Sequence, residues 1–295
     1  MGSNAGFLFE EDATIQHHEP SFLCGRCYGR SRITALRGIR IIKLLLYREV
    51  GTAINKSEKV MFSLSSVVRK IIHSNDNRIT RLHDRKGHLL PIGRLLVNGP
   101  KALWSYIFLQ ATGKRPRLPW ISYSAINVIA KALSNENAAV LEFGSGMSTL
   151  WFCDHASHVC SVEHDPTWFA IVDKELKSGK GVSADVKYRL ATERYEYSQH
   201  ANTADGIKYD LMLVDGPWRA DCLTNNMHLV KLGGIIYLDN SDADSSSGEA
   251  GEIDRAVEIL LSFAKDNRAE IEIYSDFSPT CLFASQGILV KLPKA

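Results

Sequence analysis

The chain has 295 residues, 45% apolar and 23% charged, an ordinary globular composition that excludes wholesale disorder, collagen and coiled coil. The longest stretch free of Asp, Glu, Lys and Arg is the 14 residues from Phe277 to Val290, too short and too polar for a membrane-spanning helix. The net charge of +2 conceals a split: residues 1–117 hold 20 Lys and Arg against 8 Asp and Glu, and residues 118–295 hold 15 against 25. That asymmetry predicts two regions with different surroundings, divided near residue 117.

Residues 1–30 read as irregular, and their acidic start, MGSNAGFLFEEDA, lacks the apolar core of a secretory signal. Cys24 and Cys27 form a lone C-x-x-C, a weak zinc signal without a second pair. The six scattered cysteines read as reduced thiols, which points to a cytoplasmic protein. Ser31–Val50 has a helical pattern, with Leu36, Ile39, Ile42 and Leu46 on one side and Arg30, Arg37 and Arg48 on another. A second helix is expected over Lys59–His73, then a loop over Ser74–His88. From Leu89 an apolar run follows, which Pro91 and Pro100 are expected to break into short helices. A basic, partly apolar helical region of this kind either caps the domain behind it or lies peripherally on an anionic surface.

From about Pro119 short apolar runs alternate with amphipathic stretches. Strands are expected at Ala138–Phe143, Val159–Glu163, Val186–Leu190, Tyr209–Asp215, Gly234–Asp239, Ile271–Tyr274 and Gly287–Lys291. Helices are expected from Ser148 to His155, Pro166 to Lys177, Arg219 to Lys231 and Ile253 to Asp266. This alternation predicts an α/β, Rossmann-like, mainly parallel sheet covered on both faces. Ligands of such sheets bind beyond the carboxyl ends of the strands, so the residues there carry the functional reading. Ser241–Glu252, rich in Ser, Asp, Glu and Gly, reads as a mobile loop.

The first strand runs into Glu142-Phe143-Gly144-Ser145-Gly146-Met147-Ser148-Thr149. The glycines allow a sharp turn and close approach to a ligand, and Ser148 or Thr149 can cap the following helix. Thr149 stands where the dinucleotide fingerprint needs a small residue, which disfavours a nicotinamide cofactor. Glu163 ends the second strand, 19 residues after Gly144, where a carboxylate can accept ribose hydroxyls. Glu142 adds a second carboxylate at the same crevice. Two carboxylates repel a pyrophosphate and attract a sulfonium or an amine, so S-adenosylmethionine fits better than NAD or ATP. Asp215 and the pair Asp239-Asn240 end neighbouring strands. Two carboxylates and an amide oxygen suit Mg²⁺ or another hard divalent cation, or else cap a turn.

The ordered segments VLEFGSGMSTLWF, VCSVEHDPTWF, YDLMLVDGPWR and LGGIIYLDNSD resemble the class I S-adenosylmethionine-dependent methyltransferases over about residues 118–295. The resemblance implies a seven-stranded sheet with its last strand antiparallel. It implies that Gly144, Ser145 and Gly146 face the methionine part of the cofactor, with Glu142 near its amine, Glu163 on the ribose and His164 beside the adenine. The loop near Thr192 and Glu193 would border the adenine. Asp215, Asp239 and Asn240 resemble the metal ligands of cation-dependent O-methyltransferases, in which bound metal acidifies a substrate hydroxyl. That family carries a Lys shortly after the first Asp; here Gly216-Pro217-Trp218-Arg219 follows, which leaves the base unassigned.

The expected activity is therefore S-adenosylmethionine-dependent O-methylation of a saccharide or small-molecule hydroxyl. Asp215 would be base or metal ligand, and Trp218 and Arg219 would border the substrate. A competing expectation is an inactive Rossmann-like protein that binds an anionic membrane or nucleic acid through residues 1–117. Trp151, Phe152, Trp168 and Phe169 are expected to pack against the sheet. Cys153, Cys160, Cys222 and Cys281 are expected in or near the core, and His228 mid-helix. His155, His158 and His164 have no metal-site spacing.

Overall fold

In a computed structural model the described residues are 78–294, apart from 180–182, 200, 202–205 and 245–247. The helices expected at 31–50 and 59–73 and the Cys24–Cys27 pair lie outside the described residues, as does part of the loop expected over 241–252.

The strands are β1 (Ala139–Phe143), β2 (His158–Glu163), β3 (Asp185–Leu190), β4 (Tyr209–Val214), β5 (Val230–Leu238), β6 (Glu270–Asp276) and β7 (Ser285–Lys291). They form one seven-stranded sheet in the order β3-β2-β1-β4-β5-β7-β6. β1 to β5 pair in parallel, and β7 runs antiparallel between β5 and β6. This is the sheet that the sequence resemblance implied, down to the antiparallel last strand.

The central strands are mostly apolar because both faces are covered. Alternate side chains serve opposite layers. Leu141, Phe143, Met212, Val214, Ile236 and Leu238 enter one buried cluster, while Val140, Leu211, Leu213, Ile235 and Tyr237 enter the other. The first layer holds α6 (Arg219–Asn226) and α7 (Glu252–Asp266), the second α2 (Tyr123–Ala132) and α3 (Met147–Cys153). Glu142 shares the parity of Val140, so its carboxylate points into the α3 layer. α4 (Pro166–Lys177) follows β2, with Asp165 accepting from the Thr167 and Trp168 amides as its cap. The short α5 (Arg194–Ser198) follows β3.

Three expectations need correction. Residues 92–112 form one 21-residue helix, α1 (Ile92–Thr112), with Pro100 inside it. Pro100 and Leu96, whose carbonyl loses its donor, both face solvent, so water can replace the missing bond. The helix carries Gly93, Gly99 and Pro100 and has weak local propensity; docking holds it. Asn98 Nδ2 donates to Asp276 Oδ2 at 2.8 Å, Ala102 is buried, and Ser105 Oγ accepts from Thr280 N at 2.8 Å. Second, the helix from Arg219 ends at Asn226. A 3₁₀ turn, Met227–Leu229, leads into β5, and His228 sits exposed in that turn. Third, α2 and α5 have no counterpart among the expected elements.

Asp276, fully buried at the end of β6, ties α1 to α2. Its Oδ2 also accepts from Ser124 N (3.0 Å), Ser124 Oγ (2.6 Å) and Ser122 Oγ (3.3 Å), and Oδ1 accepts from Phe277 N (2.8 Å). Asp84 does the same for residues 78–90: it accepts from Ser275 Oγ at 2.6 Å and Gln286 Nε2 at 3.1 Å. Among the described residues no helix is long and apolar enough to cross a membrane.

Candidate functional site

The carboxyl ends of β1, β2, β4 and β5 converge on one crevice. Gly144, just after β1, adopts φ +95°, which a side chain resists. A Cβ there would lie 2.7 Å from the Gly216 amide nitrogen, so the turns after β1 and β4 touch backbone to backbone.

Glu142 lies beneath this turn, fully buried. Its Oε2 accepts from Thr149 Oγ1 and Ser161 Oγ, each at 2.6 Å, while Oε1 has no hydrogen-bond partner. Burial pushes this carboxyl up to about 7, against the pull of the Ser148, Ser161 and Thr149 hydroxyls. Thr149, expected from the sequence as a candidate cap of the following helix, takes that place and joins the turn to this carboxylate: its Oγ1 also accepts from Gly146 N at 3.0 Å.

Glu163 sits at the end of β2, buried, with both oxygens occupied. Oε2 accepts from Ser145 N (2.9 Å) and Ser145 Oγ (2.8 Å), and Oε1 accepts from His164 N (2.8 Å) and Asp165 N (2.9 Å). The carboxylate thereby fixes the glycine turn onto β2. His164 Nδ1 lies 3.0 Å from Glu163 Oε1 but outside hydrogen-bond geometry, and it has no other partner.

Tyr197 lies over Gly216 within a cluster of four aromatic rings. The Tyr197 ring lies 5.5 Å from Trp218, 5.8 Å from Phe143 and 6.2 Å from His164. Its buried hydroxyl has no partner. Trp168 Nε1 donates to the Ser145 carbonyl at 2.6 Å, and Tyr188 shares a 2.7 Å hydrogen bond with Ser145 Oγ. Tyr197 and Tyr188 carried no sequence motif, and Trp168, within VCSVEHDPTWF, was expected only to pack against the sheet. The available signal was their place, on or just after strands whose ends face the crevice. Thr192 and Glu193 are exposed.

On the other side, Asp215 and Asp239 come together at the ends of β4 and β5 and share a hydrogen bond. Arg219, the fourth residue after Asp215, is buried against them. Nη2 donates to Asp215 Oδ1 and to its carbonyl, each at 3.2 Å, Nε donates to the Gly216 carbonyl at 2.9 Å, and Nη1 donates to the Asp239 carbonyl. Burial raises both carboxyls, Asp215 to about 6 and Asp239 well above the usual carboxylate range. Arg219 pulls both downward, and Asp215 raises Asp239 further. Asp239 also accepts from the Asn240 amide and, at 3.4 Å, from Tyr237 Oη. Asn240 itself adopts φ +47°, and its carbonyl accepts from Ala243 N at 2.8 Å.

Asp215, Asp239 and Asn240 as they stand do not fit a divalent cation. The guanidinium already supplies the positive charge at this spot and engages Asp215 Oδ1 and the Asp239 carbonyl. No group of three or more His, Cys, Asp and Glu suited to a metal occurs among the described residues. The donor chemistry of the crevice does fit a cationic nucleoside ligand, because Glu142 Oε1, Tyr197 Oη and His164 Nδ1 are buried and unpartnered. An open groove lined by Leu133, Glu136, Asp154, His155 and Ser183 lies at the opposite, amino-terminal end of the strands, away from all of these groups.

No family model and no curated protein matches the chain. Among solved structures, an O-methyltransferase from Bacillus cereus in complex with SAH aligns at 12% identity over 83% of this chain and 96% of its own, with a TM-score of 0.45. An O-methyltransferase from Streptomyces achromogenes involved in tomaymycin synthesis aligns at 13% identity over 68% and 96%, with a TM-score of 0.48. An rRNA methylase from Streptococcus thermophilus aligns at 10% identity over 57% and 96%, with a TM-score of 0.42. Strand order and orientation define the architecture. The chain has a Rossmann-like α/β fold with an antiparallel seventh strand. Within that fold Cys153, Cys160, Cys222 and Cys281 are buried, as their sequence positions suggested.

Proposed function

We propose that the protein is an S-adenosylmethionine-dependent methyltransferase that acts on the hydroxyl of a saccharide or small molecule. The observation that carries this reading is the fully buried Glu142 with its unpartnered Oε1 beneath the glycine turn, beside a second carboxylate at Glu163. A negatively lined crevice suits a cationic donor and repels a pyrophosphate.

The bound donor supplies an electrophilic methyl group on a sulfonium. Glu142 would hold the methionine amine, assisted by Ser148, with Gly144, Ser145 and Gly146 giving close backbone approach. Glu163 would accept the ribose hydroxyls once Ser145 Oγ yields its place on Oε2. His164 and Tyr197 would flank the adenine.

Asp215 would receive the proton of the substrate hydroxyl. It keeps 24% of its side chain exposed, and burial pushes its carboxyl up to about 6, both of which suit a general base. Asp239, raised further, would retain its proton and share it with Asp215, while Arg219 fixes the pair. The metal-ligand role for Asp215, Asp239 and Asn240 gives way here to an arginine-neutralised carboxylate pair. The rest of the catalysis would come from positioning donor and hydroxyl in line.

Calorimetry with S-adenosylmethionine tests the reading. The wild type is expected to bind, and Glu163→Ala to bind about tenfold more weakly or worse, the loss of charge-assisted hydrogen bonds. No binding, or binding untouched by Glu163→Ala, overturns it and leaves the inactive-protein reading. A labelled methyl donor offered with a metabolite extract, with and without EDTA, then identifies the acceptor.

A further inference from the structure

α1 is built inside out. The fully buried residues it turns toward the body of the protein are small or polar, Asn98, Ala102 and Ser105, with Leu95 half-buried against the core beside them. The residues it turns outward are large and apolar. Ile92 is 73% exposed, Leu96 70% and Trp104 71%, and Leu103, Ile107 and Phe108 continue the same side. A helix that only capped the sheet would show the reverse pattern. An apolar face of this size on the surface marks an interaction site.

The charge around the face indicates its occupant. Between Arg85 and Asn135 the chain holds eight Lys and Arg and no Asp or Glu. Arg94 and Lys101 lie on α1 itself, and Lys114 and Arg115 follow directly after its Gly113 cap, while Arg117 is paired with Asp154 at 3.5 Å. Arg94 stacks over the Tyr274 ring and Lys101 over Tyr123, so both cations border the docked side of the helix. A second copy of this chain would bring the same positive charge against itself. Nucleic acid would match the charge but leave the leucines and isoleucines exposed. Anionic lipid matches both: acyl chains for Leu96, Trp104 and Ile107, and headgroups for the basic rim.

We propose that the outward face of α1 is a docking surface for anionic phospholipid bilayers, entered by Ile92, Leu96, Leu103, Trp104, Ile107 and Phe108. The helix lies in the plane of the interface. It holds the crevice at a fixed height above the lipid, because Asn98 and Ser105 bind it to Asp276 and Thr280 at the carboxyl end of the sheet. The surface is independent of methyl transfer, and its test needs no substrate.

The full chain is sedimented with phosphatidylcholine vesicles with and without phosphatidylglycerol, beside the double variant Leu96→Gln, Trp104→Gln. The wild type is expected to partition onto the phosphatidylglycerol vesicles and much less onto phosphatidylcholine alone. The double variant is expected to lose about tenfold or more of that affinity, since two apolar anchors no longer enter the bilayer. Its melting temperature should match the wild type, because both side chains face solvent. The proposal falls if the wild type ignores both vesicles or the variant binds as the wild type does. It falls equally if the substitutions split a dimer seen by light scattering, lower the melting temperature as loss of an internal cover would, or abolish RNA binding while vesicle binding stays absent.

Discussion

A side-chain carbon on Gly216 would lie 1.9 Å from the Tyr197 hydroxyl oxygen. Tyr197 cannot swing away, because Phe143, His164 and Trp218 surround its ring. Gly216→Ala is therefore expected to cost about 2–3 kcal/mol of stability through overpacking, read by urea denaturation. Tyr197→Phe removes a buried hydroxyl that has no partner in the free protein and should raise stability by about 1 kcal/mol. If that hydroxyl serves the bound donor, the same variant binds S-adenosylmethionine more weakly while melting higher. A loss of stability with unchanged binding would mean the hydroxyl has a structural role.

The Glu142 carboxyl, raised from 4.5 to about 7 by burial, makes stability depend on pH. The folded state holds this proton more tightly than the unfolded state. Its contribution is complete below about pH 4.5 and disappears as pH rises through about 7. The shift corresponds to roughly 3 kcal/mol. Glu142→Gln should flatten the stability profile over that window, measured by denaturation at a series of pH values. A cationic ligand at Oε1 should drive the proton off. Calorimetry near pH 7 in two buffers of different ionisation enthalpy is expected to show proton release on S-adenosylmethionine binding, absent in the Gln variant.

Much of this arrangement is legible in the sequence. Four of the five parallel strands, β1, β2, β4 and β5, announce themselves because they are largely buried and so read as short apolar runs, and Pro166 and Gly144 mark where turns must fall. Strand ends then give Glu142, Glu163, Asp215 and Asp239 without further information. Three things do not follow from local pattern. The role of Thr149 depends on the parity of Glu142, which is a property of the sheet. The buried partners of Arg219 depend on how β4 and β5 lie side by side. The continuity of α1 through Pro100 depends on Asn98 reaching Asp276, 178 residues away.

Arg219 is expected to be the most sensitive position in the crevice. Arg219→Met leaves the Asp215–Asp239 pair buried without its cation and should cost about 3–5 kcal/mol. Arg219→Lys should recover part of that, since an ammonium restores the charge but cannot make the same set of donations. Thermal melting at pH 7 checks both. A variant as stable as the wild type would show that the guanidinium is not the counter-charge.

The Asp215 carboxyl, raised to about 6, sets the acid limb of the proposed transfer. A base must be ionised, so the rate should fall as pH drops through about 6 and level off above it. Asp215→Asn should abolish that dependence together with most of the activity. EDTA is expected to leave the rate unchanged, and restoration by Mg²⁺ after chelation would reinstate a metal role for these residues.

Asp276 offers a test remote from the crevice. Asp276→Ala deprives Asn98, Ser124 and the Phe277 amide of their buried acceptor. A loss of about 3 kcal/mol is expected, the sum of several charge-assisted hydrogen bonds less their solvation. Limited proteolysis should then cut within residues 89–112 before the sheet is touched. Simultaneous loss of the whole chain would mean that α1 and the sheet unfold as one.

β5 and β6 are consecutive strands, yet they do not touch; β7 fills the slot between them with antiparallel pairing on both sides. While the chain is being made on the ribosome, β5 therefore has a bare edge, and β6 has no place to attach until residues 285–291 emerge. Nascent protein passes through a stage with an unfinished sheet and an unpaired edge, the condition that invites aggregation. Slow translation or early termination within the last strand should thus be more damaging to soluble yield than an equal loss from an exposed loop.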